Sequence, residues 1–193
     1  MLTTLRRTTS LAIGLAAASL AFAPSIHAQA QTLASDGFDS GGFGAGVVRF
    51  SGVNGQFAVF AGARGGWIIN HTFILGGGFY GLANDISVIQ DAPGRDFDFG
   101  YGGLELTYVY ESDLLIHGTF SALIGGGSVT RLGFSDGVFV FEPSANAVVN
   151  ITSYFRIAGG GGYRVVSGVD AFGLSNGDFS MVFGELVLKF GSF

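Results

Sequence analysis

The sequence has no cysteine, and only 12% of its residues are charged. Without cysteine the chain forms no disulfide and offers no attachment point for the lipid of a lipoprotein. The charged share is about half of that in soluble globular proteins, and the net charge of −5 gives no support to nucleic-acid binding. Beyond residue 30 there is also no run of about 18 apolar residues, so no transmembrane helix is predicted.

Residues 1–30 have the three parts of a secretory signal peptide. Arg6 and Arg7 give a positive start, and residues 11–23 form an apolar run too short to span a bilayer. The tripeptide AQA at 28–30 matches an A-x-A cleavage site. We expect cleavage there and a mature chain of about 163 residues, enough for one domain. A buried N-terminal helix is the alternative.

The sequence is rich in glycine and aromatic residues. It has 34 Gly and 20 Phe, and 48% of its residues are hydrophobic. An exported, apolar chain without a membrane helix is typical of a membrane β-barrel, in which each strand turns only half of its side chains towards lipid. A soluble lipocalin-like barrel is the rival fold, but it needs a polar exterior.

Apolar and polar residues alternate over segments of about ten residues, the pattern of a membrane-spanning strand. Leu186, Leu188 and Phe190, for example, alternate with Glu185 and Lys189. We predict an all-β, eight-stranded, antiparallel up-and-down transmembrane barrel. Its strands are predicted at about 43–51, 56–69, 72–82, 97–111, 115–128, 137–149, 155–167 and 179–191. The predicted organisation is a signal peptide at 1–30, a short N-terminal periplasmic segment at 31–42 and the barrel at 43–193.

Short and long connections alternate along the chain. The segments 70–72, 111–114 and 150–154 are tight, whereas 83–96 and 167–178 are long and 130–136 is intermediate. Outer-membrane barrels have short periplasmic turns and longer outer loops, so we place the tight turns on the periplasmic side. Asn54-Gly55 predicts a short hairpin on the outer side. Aromatics beside the tight turns predict a membrane-interface girdle, with scattered core aromatics as the alternative: Trp67, Phe73, Tyr108, Tyr110, Phe155 and Phe190.

Three glycine tracts, at 76–78, 125–127 and 159–162, lie in the strands that leave the tight turns. A phosphate-binding loop is not predicted, because no helix and no Lys-Ser or Lys-Thr pair follows the glycines. An eight-stranded barrel is strongly curved and has little interior space. Glycine permits bends in such strands and leaves room for large side chains in the lumen.

Most basic residues of the mature chain share the inward parity of the strands with three glutamates. Buried charges must be paired or hydrated, so these residues predict an ion-pair network across the lumen, for example Arg64 or Arg156 with Glu105. An ordinary solvated strand face is the alternative. The predicted interior set is Arg49, Arg64, Glu105, His117, Glu142, Arg156, Arg164, Glu185 and Lys189.

The signal peptide, the alternating strands and the C-terminal Phe together resemble small outer-membrane barrels of the OmpA/OmpX type. The closing stretch, residues 163–193, is similar to the ends of Bacteroidetes-type outer-membrane barrel proteins. The resemblance implies a Gram-negative cell envelope, a monomer in the outer-membrane bilayer and insertion by the barrel-assembly machinery. The terminal Phe of such proteins shares the outward parity of the last strand. Here Phe190 does so and Phe193 does not, so either Gly191 hosts a bulge or Phe190 is recognised during assembly.

The sequence indicates no enzyme, cofactor or metal site. Some outer-membrane barrels modify lipid A with His, Ser and a carboxylate, but His117 is predicted to face inwards near a tight turn and His71 to lie in a turn. We therefore expect an outer-membrane barrel with a structural or surface-interaction role, a lumen plugged by side chains and no general porin activity. A small-ligand-binding barrel is the first alternative, and a lipid A-modifying enzyme is the second.

Overall fold

The computed structural model describes residues 40–84, 86, 97–131, 134–169 and 174–193, all within the compact unit Asp36–Phe193. The predicted signal peptide and residues 31–39 lie outside these ranges, as do most of the connection 83–96 and residues 132–133 and 170–173. Within them the chain forms a closed barrel in the order β1-β2-β3-β4-β5-β6-β7-β8. Every strand pairs antiparallel with its neighbours in sequence, and β8 pairs with β1.

The predicted fold is confirmed, with small differences at the ends of elements. β1 begins three residues before the predicted boundary at 43, because residues 40–42 pair with β2. β5 and β6 extend each other's ladder, so their connection is shorter than the predicted segment 130–136. The strands are β1 Ser40–Val53, β2 Gln56–Ile69, β3 Phe73–Leu82, β4 Phe97–Tyr110, β5 Ile116–Arg131, β6 Phe134–Asn150, β7 Phe155–Ser167 and β8 Met181–Ser192.

A one-turn helix, α1 (Asn176–Phe179), precedes β8 and was not predicted. Its start is fixed by a capping box, in which the Asp178 carboxylate accepts hydrogen bonds from the Ser175 backbone N–H at 2.7 Å and hydroxyl at 2.9 Å. Over the described ranges, no helix has the length and apolarity needed to cross a membrane.

The tight turns and both ends of the barrel chain share one rim, here called the tight-turn end. Ser40 pairs with Ile69 beside the turn at Asn70 and His71, whose φ angles of 51° and 54° are left-handed. The opposite rim, the long-loop end, carries the β1–β2 hairpin. Its two-residue turn has φ of 50° at Asn54 and 72° at Gly55, as the sequence predicted for this pair.

The barrel is apolar outside and charged inside. Large exposed apolar side chains project from every strand between the two rims, and the alternate positions of the same strands are buried. On β8, for example, Leu186 and Leu188 are 48% and 41% exposed, whereas Glu185, Val187 and Lys189 are at most 5% exposed. This distribution is the reverse of that in a soluble barrel, whose exterior is polar.

Strand register aligns glycines of β1 to β5 in one band. Gly44 of β1 pairs with Gly65, Gly65 with Gly77, Gly78 with Gly103, and Gly103 with Gly125 of β5. At Gly78 a Cβ would lie 3.1 Å from Tyr80 Oη and 3.2 Å from Arg64 Cβ. The inward members of the band, Gly78, Gly103 and Gly125, therefore leave space inside the wall for the long side chains of the lumen.

Candidate functional site

Three arginines and three glutamates form a buried ion-pair network in the middle of the lumen. Arg49 on β1 pairs with Glu142 on β6 and, at 2.8 Å, with Glu185 on β8. Arg64 on β2 reaches Glu185 at 3.1 Å and Glu105 on β4 at 3.5 Å. Arg164 on β7 contacts Glu142 at 2.9 Å. The six side chains balance in charge and connect six of the eight strands across the lumen.

Neutral polar groups that the sequence analysis did not single out complete the network. The Tyr101 hydroxyl donates to Glu142 at 2.7 Å and accepts from Arg49 at 3.1 Å. The Asn146 amide donates to Glu185 at 2.9 Å, and the Thr107 hydroxyl donates to Glu105 at 3.2 Å. Inward parity is the signal that would have identified them. Together they satisfy carboxylate lone pairs that would otherwise be buried without partners.

Aromatic rings pack against this network on its long-loop side. The Arg49 guanidinium lies over the Tyr80 ring at 3.6 Å. That of Arg164 lies over the Phe60 ring at 4.2 Å, which stabilises N–H groups that have no hydrogen-bond partner within the described residues. Beyond them Phe179 of α1 is completely buried and packs edge-on against Phe99, with ring centroids 5.1 Å apart.

The turn of the β1–β2 hairpin is hydrogen-bonded to α1 at the long-loop end. The Asn54 backbone N–H donates to the Asp178 carbonyl oxygen at 2.8 Å, so the hairpin and α1 are joined across the rim. Phe179, the residue after Asp178, belongs to the buried cluster that Phe60, Phe99 and Tyr101 form with apolar residues of the strands.

Three predicted network members lie apart from the ion pairs, at the tight-turn end. Arg156 does not meet Glu105 as expected, and within the described residues neither Arg156 nor Lys189 forms an ion pair. His117 is also buried there, with its Nδ1 3.3 Å from the Leu114 carbonyl oxygen. The reason is distance along the strands, since Glu105, Glu142 and Glu185 all lie nearer the centre.

Phe193 turns into the lumen at the same end. Its ring stacks on Phe43 with centroids 6.2 Å apart, and the Arg156 guanidinium lies 4.0 Å from its centroid. The pairing of β8 with β1 keeps one register from Gly184 to Ser192, so Gly191 hosts no bulge. Phe190 keeps the outward parity and stacks on Phe155 at 4.7 Å.

The six predicted girdle residues lie on the outer face near the tight-turn end. Trp67, Tyr110 and Phe190 are 56%, 51% and 54% exposed. Phe73 and Tyr108 are also exposed, with ring centroids 5.5 Å apart. Phe155 is partly covered by its stack on Phe190.

His71 and His117 line one small cavity at the tight-turn end together with Ser112, but among the described residues no carboxylate side chain is in its lining. His71 is exposed in its turn, and the Ser121 hydroxyl lies 2.7 Å from that of Thr107. In the part of the chain that the structure describes, no group of three His, Asp or Glu side chains could hold a metal ion.

No family model and no curated protein sequence matches the chain. Among solved structures it is similar to Neisserial surface protein A, with a TM-score of 0.60 at 13% identity, covering 81% of this chain and 99% of that one. It is also similar to the N-terminal β-barrel domain of Pseudomonas aeruginosa OprF, with a TM-score of 0.58 at 9% identity, covering 80% and 99%. The chain therefore has the OmpA/OmpX-like fold of the small eight-stranded outer-membrane β-barrels.

Proposed function

We propose that this chain is an integral barrel of the bacterial outer membrane, with a closed lumen and a structural or surface-interaction role. The observation that carries the proposal is the inverted exterior: Leu104, Leu106 and Ile124 are 72%, 55% and 53% exposed on the mid-strand outer face. Exposed apolar area on this scale needs a hydrocarbon environment. An aromatic girdle at one end of the exposed apolar surface is the arrangement expected at a membrane interface.

The filled interior supports a barrel without a general solute path. An eight-stranded barrel has room only for its own side chains or for one small ligand. Here the central space holds the ion-pair network, and the long-loop side holds stacked aromatic rings and Phe179. A water-filled pore would require these groups to separate.

The surface role is supported by the fold and by the kind of protein that shares it. One similar structure is a Neisserial surface protein and the other is a barrel domain. A non-enzymatic role also agrees with the position of His117, which is buried at the tight-turn end, the rim opposite the long loops. A small-ligand-binding barrel is the second candidate, favoured by a cavity beside Arg156 and Lys189.

Membrane fractionation tests the location. The protein should sediment with outer membranes, remain there after a carbonate wash and migrate faster on a denaturing gel when unboiled than when boiled. Recovery in the soluble fraction, with no difference between heated and unheated samples, would contradict the proposed membrane barrel.

Planar-bilayer recording tests the closed lumen. Purified, refolded protein should insert without producing steady, large-conductance channels, because the charged network and aromatic rings leave no continuous water path. A general porin of known conductance, reconstituted in the same lipid, is the control for insertion and detection. Stable open channels from this protein would make a pore the leading function.

A further inference from the structure

Two positive charges face each other at the tight-turn end of the lumen, and no described residue supplies a counter-charge to them. Arg156 on β7 and Lys189 on β8 are direct cross-strand partners, and both point inwards. Like charges directly opposite each other on neighbouring strands destabilise a sheet. The central network cannot compensate them, since its three glutamates are already matched by three arginines.

The polar atoms of this pair also lack partners. Lys189 is only 5% exposed and makes no hydrogen bond to a described residue; its ammonium lies 5.3 Å from the centroid of the Phe43 ring. Arg156 Nε is buried and has no hydrogen-bond partner among the described residues. Two largely buried positive charges that have no counter-charge among the described residues are costly, so this environment favours a negatively charged group.

A cavity of about 20 Å³ lies between these groups. Its apolar lining includes Phe43 and Phe193, and its polar lining consists of Arg156, Lys189, His117, His71 and Ser112. The volume accommodates one or two water-sized groups. A carboxylate has two oxygens of that size, and arginine binds it through two parallel hydrogen bonds.

We propose that the tight-turn end of the lumen is a carboxylate-binding site, in which Arg156 and Lys189 hold one carboxylate group and Phe43 and Phe193 wall it in. This site goes beyond the proposed structural or surface role and does not depend on it. The carboxylate belongs to a small free molecule that enters from the tight-turn rim.

Acetate titration of the refolded protein, followed by the Arg156 Nε–H nuclear magnetic resonance signal, tests the site. Ionic strength is held constant with a bulky sulfonate buffer. The signal should shift saturably, and Lys189→Met should weaken acetate binding about tenfold, because one charged hydrogen-bond donor is lost. Lys189→Arg should keep the affinity close to wild type. Arg131→Gln removes a positive charge from the long-loop end of β5 and should leave the acetate affinity unchanged.

Absence of a saturable shift in the wild-type protein would overturn the proposal, as would equal acetate binding by wild type and a heat-modifiable, folded Lys189→Met variant.

Discussion

The central glutamates differ in the number of arginine side chains that each one contacts. Glu142 is 1% exposed and contacts Arg49, Arg164 and Tyr101. Glu105 is 7% exposed, and its one arginine contact, with Arg64, is at the long distance of 3.5 Å. The cost of removing a charge should follow this order, because each unpaired buried partner retains its desolvation penalty.

Substitution by glutamine tests that order with little change in shape. Glu142→Gln should lower the free energy of unfolding by about 3–5 kcal/mol, because two buried arginines lose their shared carboxylate. Glu105→Gln should cost less, about 1–3 kcal/mol. Urea unfolding in lipid vesicles, followed by the fluorescence of Trp67, measures both.

Glu111 provides the matched control, since it is exposed in a tight turn. Glu111→Gln should change the free energy of unfolding by less than about 0.5 kcal/mol. Equal costs at positions 142, 105 and 111 would contradict a stabilising network in the lumen.

At this scale sequence parity could place charges inside the barrel but could not pair them. Alternation puts Arg64, Arg156 and Glu105 on one face, whereas a contact also requires the same height in the barrel. Register and strand tilt set that height, and neither can be read from period two alone. For this reason Arg64 meets Glu105 and Arg156 does not.

At the scale of elements, depth along β8 sets the cost of a charge on the outer face. Leu186 lies in the middle of the strand and Val182 lies near the long-loop end, both facing outwards. Leu186→Arg should destabilise the inserted barrel by about 2–4 kcal/mol and Val182→Arg by about 0–1 kcal/mol. Folding yield into lipid vesicles, read as the heat-modifiable band, compares the two.

Both variants add the same side chain to the same face of one strand, so each controls for the other. An inward position such as Val187 is a poor control, because it is completely buried and arginine there would also overfill the lumen. Similar yields for Leu186→Arg and Val182→Arg would argue against a bilayer around the middle of the barrel.

Alanine substitution at two glycines is expected to change the stability of the barrel in opposite directions. A Cβ at Gly125 would lie 2.7 Å from the Gly102 carbonyl carbon, which leaves no room for alanine. At Gly46 no atom lies within 4 Å of the added Cβ. Gly125→Ala should therefore destabilise the barrel, whereas Gly46→Ala should stabilise it by about 0.5–1 kcal/mol through lower backbone entropy in the unfolded chain.

Urea midpoints of the two alanine variants measure this difference under identical conditions. A stabilised Gly125→Ala would show that the β4–β5 backbones separate easily at this point. The tract itself was visible in the sequence, but the alignment of Gly103 with Gly125 depends on pairing between different strands. Strand positions were predictable from alternation, whereas α1 was not, because a single helical turn has no periodic pattern.

At the scale of the whole molecule, Phe190 is the one aromatic side chain that β8 places on the outer face. Phe190 is 54% exposed and stays in register, whereas Phe193 lies outside β8 and turns towards Arg156. We expect Phe190→Ala to reduce accumulation in the outer membrane more than deletion of Phe193. Immunoblots of membrane fractions from matched expression levels measure it.

Deletion of Phe193 also removes a ring from the lumen, so stability must be separated from assembly. Refolding of both variants into vesicles without any cellular machinery provides that control. If Phe193 deletion alone lowers accumulation in cells while both variants refold equally well, Phe193 is the recognised residue.

The up-and-down order also determines the sequence separation of the barrel's contacts. Each pairing from β1–β2 to β7–β8 joins neighbours along the chain, whereas β1 with β8 joins Gly42 to Ser192. Hairpins of low contact order form quickly, and the entropy of closing a longer loop grows slowly with its length. Until β1 and β8 meet, both carry unpaired N–H and C=O groups, which hydrocarbon does not tolerate. Pairing of β1 with β8 is therefore expected to form last and to remove the two remaining unpaired strand edges together.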